Sequence, residues 1–268
     1  MIKLVVIDLD GTLLNPRHLV SEATLQALRA LDQRGIQLMI ATGRHFQDVY
    51  MLARQLNLPV SFITSNGARV HDHQGNLLYE NHIPDELVGD VLDLTAGYDI
   101  HRNIYQGDVW LVEEENEPLL AIHHASGFAY QLIDFKEMRP GHIDKFYFNA
   151  PHAVLVPVEA GLQQALGDRL TITFTTGEYL EVMNKGVSKG KALQSKLQSR
   201  GILPEEVMAF GDGMNDIEML ELVGHPVVME NAAESVKALL PGANLAKSNA
   251  EDGVADYLQR HLLDGLPA

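Results

Sequence analysis

Short apolar runs alternate with helix-like segments in the first and last thirds of the chain, and this alternation strongly constrains the fold. The run at 2–7 is β-branched and nearly continuous, which is typical of a parallel strand covered on both faces. Ser21 and Gly35 bound the helix-like segment that follows it. Alternation at this spacing predicts a doubly wound parallel sheet of the α/β class. Further strands are predicted at 36–44, 60–68, 206–213 and 226–230, and further helices at 45–56, 188–201, 216–222, 232–240 and 253–263.

The middle of the chain does not follow this alternation. It begins after a turn-rich, hairpin-like stretch at 70–83, and it contains a strand-like stretch near 143–149. We expect residues 84–184 to form an α+β domain that is inserted into the sheet domain. The sheet domain then consists of residues 1–83 and 185–268, and the chain crosses between the two domains twice.

Composition excludes several classes of protein and site. The formal net charge of −16 argues against a nucleic-acid partner, because phosphate backbones attract basic surfaces. The chain has no cysteine, so disulfides and thiolate metal sites are excluded. Since no apolar run reaches the roughly 18 residues of a membrane span and no signal peptide is recognisable, we expect a soluble, cytoplasmic protein without a membrane partner. We expect a monomer or a weak homodimer.

Acidic residues follow two of the predicted strands. Asp8 and Asp10 end the first strand, in the stretch VVIDLDGTLL, and Asp212 and Asp216 follow the strand at 206–213. Lys189 lies in the first turn of the preceding helix. In open parallel sheets, ligands bind beyond the carboxyl ends of the strands. The fold therefore predicts that four carboxylates and one lysine meet at one edge of the sheet.

Four crowded carboxylates repel one another, and a divalent cation between them removes this difficulty. Mg²⁺ prefers about six oxygen ligands and suits carboxylates better than zinc does. A single aspartate after a strand is more often a helix cap or turn residue. Here that interpretation is weaker, because Asp8 and Asp10 occur with Gly11 and Thr12 and because a second strand also ends in acids. The chain has 12 histidines, but His123 and His124 are adjacent and cannot face one ion together on a helix or strand. Structural or solvated roles are expected for His71 and His73.

Four motifs occur in order along the chain: DLDGT, ATGR, SKGKAL and GDGMND. This set resembles the motifs of the haloacid dehalogenase superfamily. It is similar in particular to the Cof-type (subfamily IIB) sugar-phosphate and cofactor phosphatases, which carry a large cap inserted between the second and third motifs. The resemblance implies a Rossmann-like core with an inserted α+β cap.

The resemblance also implies a mechanism. Asp8 would be the nucleophile that forms an aspartyl-phosphate, and Asp10 would be the general acid and base. Mg²⁺ would bind a carboxylate oxygen of Asp8, the backbone carbonyl of Asp10 and a carboxylate oxygen of Asp212. Asp216 would orient these groups or bind the ion through water.

The phosphoryl group needs donors on the side away from the metal ion. Arg44 would reach the substrate or the cap, or form a surface ion pair. Asn66 would either contact the phosphate or only shape a turn. Lys189 near a helix N-terminus makes a good anion site, although most lysines are solvated. The candidate phosphate-binding residues are Leu9, Thr42, Gly43, Arg44, Asn66, Lys189 and Asn215.

Together these features predict a Mg²⁺-dependent phosphatase. Its substrates would be small phosphomonoesters, either sugar phosphates or phosphorylated cofactors such as pyridoxal phosphate. Two alternatives remain open at this point. One is a phosphomutase of the same superfamily, and the other is a non-hydrolytic phospho-acceptor signalling domain.

Overall fold

A computed structural model describes residues 1–123 and 126–264. Over these residues the chain forms two compact units. The first unit contains Met1–Gly43, Ala53–Leu78 and the described residues from Ser188 onward. The second contains Arg44–Leu52 and Tyr79–Val187.

Strands and helices alternate along the described chain. The strands are β1 Leu4–Asp8, β2 Gln37–Ala41, β3 Val60–Thr64, β4 Arg69–His71, β5 Leu77–Glu80, β6 His101–Gln106, β7 Val109–Val112, β8 Tyr130–Leu132, β9 Ile143–Asn149, β10 Leu170–Thr176, β11 Tyr179–Asn184, β12 Val207–Gly211, β13 His225–Met229 and β14 Asn244–Ala246. The helices are α1 Glu22–Gln33, α2 Phe46–Arg54, α3 Asp85–Thr95, α4 Glu117–Ala121, α5 His152–Leu166, α6 Lys189–Arg200, α7 Ile217–Leu222, α8 Glu234–Leu239 and α9 Gly253–Leu258. A π-helical turn, Gln259–Leu263, continues α9.

Among the described residues, eight strands form the first sheet in the order β14-β13-β12-β1-β2-β3-β4-β5. Strand β1 lies in its centre and pairs in parallel with β2 and β12, which confirms the predicted α/β class. Leu4 and Val6 pack with Leu193 and Leu197 of α6 in one hydrophobic core. Every residue of β1 is buried, as expected for a strand covered on both faces.

Parallel pairing sets the position of the strand ends. Strands β12, β1, β2 and β3 all run in the same direction, so their carboxyl ends meet at one edge of the sheet. Asp8 is the last residue of β1, and Thr42 directly follows β2. Asp212 directly follows β12 in the same way. The sheet thus brings together residues that are distant in the sequence.

The second unit is built on a different sheet. In the part of the chain that the structure describes, six strands follow the order β10-β11-β9-β6-β7-β8. Most neighbouring strands are antiparallel, and β7 and β8 are parallel. Phe146 and Phe148 of β9 pack with Leu155 and Leu162 of α5 in its core. This unit is the inserted α+β part of the predicted fold.

The first part of α2 groups with the second unit, whereas the sequence-based division at 84–184 left it in the sheet domain. His45 Nε2 lies 2.9 Å from the carbonyl oxygen of Gly107, and the His45 ring stacks on Phe128 at 4.6 Å. Asp48 Oδ2 lies 3.0 Å from His123 Nδ1. These contacts join residues far apart in the sequence, so local periodicity does not show them.

Within residues 1–123 and 126–264, no helix combines the length and the apolar character that crossing a membrane requires.

Candidate active site

Three carboxylates meet at the carboxyl edge of the first sheet. Asp8, Asp212 and Asp216 each place an oxygen within 4.8 Å of the others. Gly11 permits the close approach of Asp212, because a Cβ at this position would lie 2.3 Å from Asp212 Oδ2. Its φ of +81° is also one that glycine adopts readily. The close approach of Asp212 therefore explains why the DLDGT motif has glycine at this position.

Lys189 is buried among these acids. Its Nζ donates hydrogen bonds to Asp8 Oδ1 at 2.6 Å and to Asp216 Oδ1 at 2.7 Å. Burial alone would lower the pKa of Lys189, but the carboxylates of Asp216 and Asp8 together raise it above its ordinary value. Lys189 therefore carries a fixed positive charge at the centre of the cluster.

The turn after β3 fixes the start of α6, where Lys189 is the first residue. A Cβ on Gly67 would lie 2.3 Å from the carbonyl oxygen of Ser188, and Gly67 has a φ of +103°. Asn66 also has a positive φ, 56°, and its Oδ1 accepts a hydrogen bond from Asn215 Nδ2 at 2.9 Å. This turn therefore holds both a helix start and a side-chain amide at the edge.

Both carboxylate oxygens of Asp216 have donors. Oδ1 accepts from Lys189, and Oδ2 accepts from the backbone amides of Asp212 at 3.1 Å and Gly213 at 2.9 Å. These bonds hold the loop after β12 in place. Asp216 therefore links Lys189 to the loop after β12.

Lys189 alone does not offset the cost of burying these carboxylates. Burial, and then the neighbouring charge of Asp216, raise the pKa of Asp8 well above its ordinary value, although Lys189 opposes them. Burial likewise raises the pKa of Asp212 to about 6. Two acids that resist ionisation side by side are a site where a divalent cation would favour the charged forms. The donor set consists of oxygens, which fits a hard ion such as Mg²⁺.

Asp10 differs from the other predicted acids. Its side chain is 44% exposed, and Oδ1 lies 3.7 Å from His18 Nδ1. It does not belong to the three-carboxylate cluster. An exposed carboxylate can meet a substrate and a water molecule.

The remaining predicted site residues are mostly buried. Leu9, Thr42 and Asn66 have little exposure, and an added Cβ on Gly43 would lie 3.2 Å from the amide of Asn66. Arg44 is also buried, and Nη1 donates to Asp48 Oδ2 at 3.0 Å within the second unit. This ion pair is buried and does not lie at the surface.

Sequence reasoning assigned no role to Thr12. Its hydroxyl donates to Asp212 Oδ1 at 2.7 Å, across 200 positions of the sequence. This bond holds one carboxylate oxygen of Asp212 and opposes the rise in its pKa. The available signal was the place of Thr12 at the end of the DLDGT motif.

A family model for haloacid dehalogenase-like hydrolases matches residues 5–258. The chain belongs to this family. The match confirms the resemblance carried by the four motifs. It runs from β1 to the last residue of α9, so this hydrolase shares with its family both the sheet and the inserted unit.

Curated relatives of this haloacid dehalogenase-like hydrolase are similar over nearly their whole length. A Haemophilus influenzae protein with a provisional phosphatase assignment is 41% identical over 259 residues, which cover 95% of this chain and 94% of that protein. An HMP-PP phosphatase from Serratia proteamaculans is 37% identical over 263 residues, which cover 98% and 96%.

Solved structures agree with this assignment. A haloacid dehalogenase-like hydrolase from Bacteroides thetaiotaomicron has a TM-score of 0.87 and 28% identity, and the match covers 97% of this chain and 99% of that one. A subclass IIB sugar phosphatase has a TM-score of 0.82 and 25% identity, with coverage of 96% and 98%. The chain is thus an enzyme, a hydrolase of the phosphatase type.

Proposed function

We propose that this protein is a Mg²⁺-dependent phosphatase that hydrolyses small phosphomonoesters through an aspartyl-phosphate on Asp8. The observation that carries the proposal is the position of Asp8. It lies at the end of the central strand, 2.6 Å from Lys189 Nζ and in one carboxylate cluster with Asp212. A nucleophile held by a buried cation and close to a metal-binding carboxylate suits attack on a negatively charged ester.

In the first half of the reaction, a carboxylate oxygen of Asp8 attacks phosphorus and forms a new P–O bond. The bond between phosphorus and the ester oxygen breaks, and Asp10 gives its proton to the departing oxygen. The products of this half are an alcohol and a phosphorylated Asp8. The exposure of the Asp10 side chain supports this role, because the departing group must reach it.

In the second half, Asp10 takes a proton from a water molecule as the water oxygen attacks phosphorus. The bond between phosphorus and Asp8 breaks, inorganic phosphate leaves, and both aspartates return to their starting state. The same residue thus acts as acid and then as base.

Charge around the transferring group is the main requirement of this chemistry. Mg²⁺, when held by Asp8, Asp212 and the backbone carbonyl of Asp10, would supply positive charge that offsets the phosphate and the acids. Lys189 orients the Asp8 carboxylate and adds a second cation, while Asp216 holds Lys189 and the loop after β12. The proposed contacts of the phosphate oxygens are Leu9, Thr42, Gly43, Arg44, Asn66, Lys189 and Asn215.

Two kinds of relative suggest the range of substrates. The names HMP-PP phosphatase and sugar phosphatase belong to proteins that match this chain over nearly its full length. We propose that the substrates here are small phosphorylated metabolites, sugar phosphates or phosphorylated cofactors such as pyridoxal phosphate. The inserted unit is the proposed determinant of substrate specificity.

A phosphate-release screen with and without Mg²⁺ over a panel of small phosphate esters tests the proposal. Asp8→Asn should abolish release while the far-ultraviolet circular dichroism spectrum stays close to that of the parent. Asp32→Asn is the matched control, because the end of α1 lies at the opposite edge of the sheet from the site. Undiminished release by Asp8→Asn, or full activity after thorough chelation, would contradict the mechanism. Transfer of phosphate to a second sugar rather than to water would indicate the phosphomutase.

A further inference from the structure

A second group of metal-ligating side chains lies within the second unit. Glu80, His82 and His142 each place a donor atom within 4.8 Å of the others. His82 Nε2 lies 3.1 Å from Glu80 Oε2 and 3.3 Å from His142 Nδ1. One imidazole nitrogen thus faces both a carboxylate and a second imidazole.

We propose that Glu80, His82 and His142 bind a divalent transition-metal ion of the zinc type. Zinc binds nitrogen and oxygen at about 2.0–2.1 Å, and tetrahedral geometry then separates neighbouring donors by about 3.3 Å. The two distances to His82 Nε2 are close to this separation. Imidazole ligands favour zinc and its neighbours in the first transition row, whereas Mg²⁺ favours oxygen alone.

Asp144 contacts His82, the central ligand of the proposed site. It is fully buried, and its Oδ1 lies 3.1 Å from His82 Nδ1, the ring nitrogen that faces away from the cluster. Histidines that bind metals almost always donate this second N–H to a carboxylate, a backbone carbonyl or water, which fixes the tautomer and orients the ring. With the proton on Nδ1, Nε2 presents its lone pair to Glu80 and His142, as a ligand must.

The backbone holds the two histidines together. The amide of Ile83 donates to the carbonyl of Ile143 at 2.8 Å, which joins the residues directly after His82 and His142. His142 has a φ of 53°, in the left-handed region that residues with a side chain adopt uncommonly. Residues in this region cluster at active sites and at sites that hold ligands.

The cluster is open to an ion from solution. The side chain of Glu80 is 37% exposed, and that of His82 is 18% exposed. Three protein ligands leave the fourth tetrahedral position to water. Bound metal would tie the segment after β5 to the start of β9 inside the second unit.

Metal titration of the full-length protein tests this proposal. Zn²⁺ is titrated in competition with a chromophoric chelator, in excess Mg²⁺ so that the carboxylates of the other cluster are saturated. His142→Gly removes a ligand and relieves the positive φ, so the fold should persist; His82→Gln removes the central ligand. His152→Ala is the matched control, an exposed histidine of the same unit outside the cluster.

The parent protein and His152→Ala should bind one Zn²⁺ with the same affinity. His142→Gly and His82→Gln should each lose at least about tenfold, and Asp144→Asn should lose about 10–100-fold without removing a ligand. Co²⁺ bound to the parent should give the visible absorption of a tetrahedral site with nitrogen ligands, and His142→Gly should lose it. Unchanged Zn²⁺ affinity in His142→Gly would overturn the proposal, as would Zn²⁺ binding that only Asp212→Asn removes.

Discussion

Replacing Asp212 with asparagine should stabilise the metal-free protein and abolish its stabilisation by Mg²⁺. The folded chain holds Asp212 where burial raises the pKa of the carboxyl from 3.8 to about 6. The ionised form is therefore unfavourable in the folded state when no cation is present. An asparagine removes that charge, and its carbonyl oxygen can still accept the hydrogen bond from Thr12.

The sign and size follow from proton linkage. Because the folded state binds this proton more tightly than the unfolded state, the stability of the metal-free protein falls as pH rises from about 4 to about 6. Each pKa unit corresponds to about 1.4 kcal/mol, so ionising Asp212 above this pH window costs about 3 kcal/mol of folding stability. Relaxation and coupling to Asp8 reduce it, so we expect Asp212→Asn to gain about 1–3 kcal/mol. For a unit of this size, each kcal/mol of added stability should raise the melting temperature by roughly 2–4 °C.

Thermal melts at about pH 7.5, above the linkage window, measure the effect in a chelator and again in excess Mg²⁺. Mg²⁺ should raise the melting temperature of the parent. When the ion is at 100 times its dissociation constant, the added free energy of unfolding is about 2.7 kcal/mol. Asp212→Asn should start higher and show little response. Asp10→Asn is the control, because the exposed Asp10 side chain bears little desolvation cost and should not stabilise the metal-free protein.

Two results would refute this reasoning. One is a metal-free Asp212→Asn protein that melts below the parent, since the buried charge would then be stabilising. The other is an unchanged Mg²⁺ response, which would show that the ion binds elsewhere.

Three other predictions concern residues in or next to the cluster, and Gly35 at the opposite edge of the sheet serves as a comparison. Gly35→Ala and Gly67→Ala each place a side chain at a positive φ, so each should lower the free energy of unfolding in a urea titration by about 1 kcal/mol. Gly67→Ala should lower it by about 1–3 kcal/mol more, because the added Cβ meets Ser188. Equal losses would contradict this. Lys189→Met should lower the free energy of unfolding by about 3–5 kcal/mol in chelator, because it leaves buried carboxylates without their cation; a loss under about 1 kcal/mol would argue against the buried ion pairs. The Mg²⁺ concentration for half-maximal phosphate release should rise as pH falls through about 6, because Asp212 takes up a proton; a constant value would disagree.

Much of the fold can be predicted from local features of the sequence. The β-branched run before Asp8 predicts a buried parallel strand, and Ser21 caps α1 as its sequence position indicates. Gly201 likewise ends α6 in a left-handed conformation. These features depend on periodicity and on the conformational preferences of single residues, which a sequence displays directly. The short edge strand β14 was not predicted, since three residues carry too little pattern.

Part of the site also follows from the sequence. Acids that end parallel strands must meet at one edge, because the carboxyl ends of such strands share it. This rule predicts that Asp8 and Asp212 meet, and the structure places them in one cluster with Lys189 close by. Their catalytic roles remain predictions that the variants above test.

The sequence by itself determined the α/β class, the family and the set of acids at the sheet edge. Tertiary structure alone decided that donors occupy both oxygens of Asp216, that Arg44 forms a buried pair with Asp48, and that Glu80, His82 and His142 converge. The physical reason is the range of the interactions. Periodicity and backbone preference act over a few residues, whereas hydrogen bonds between distant side chains exist only after packing has brought their segments together.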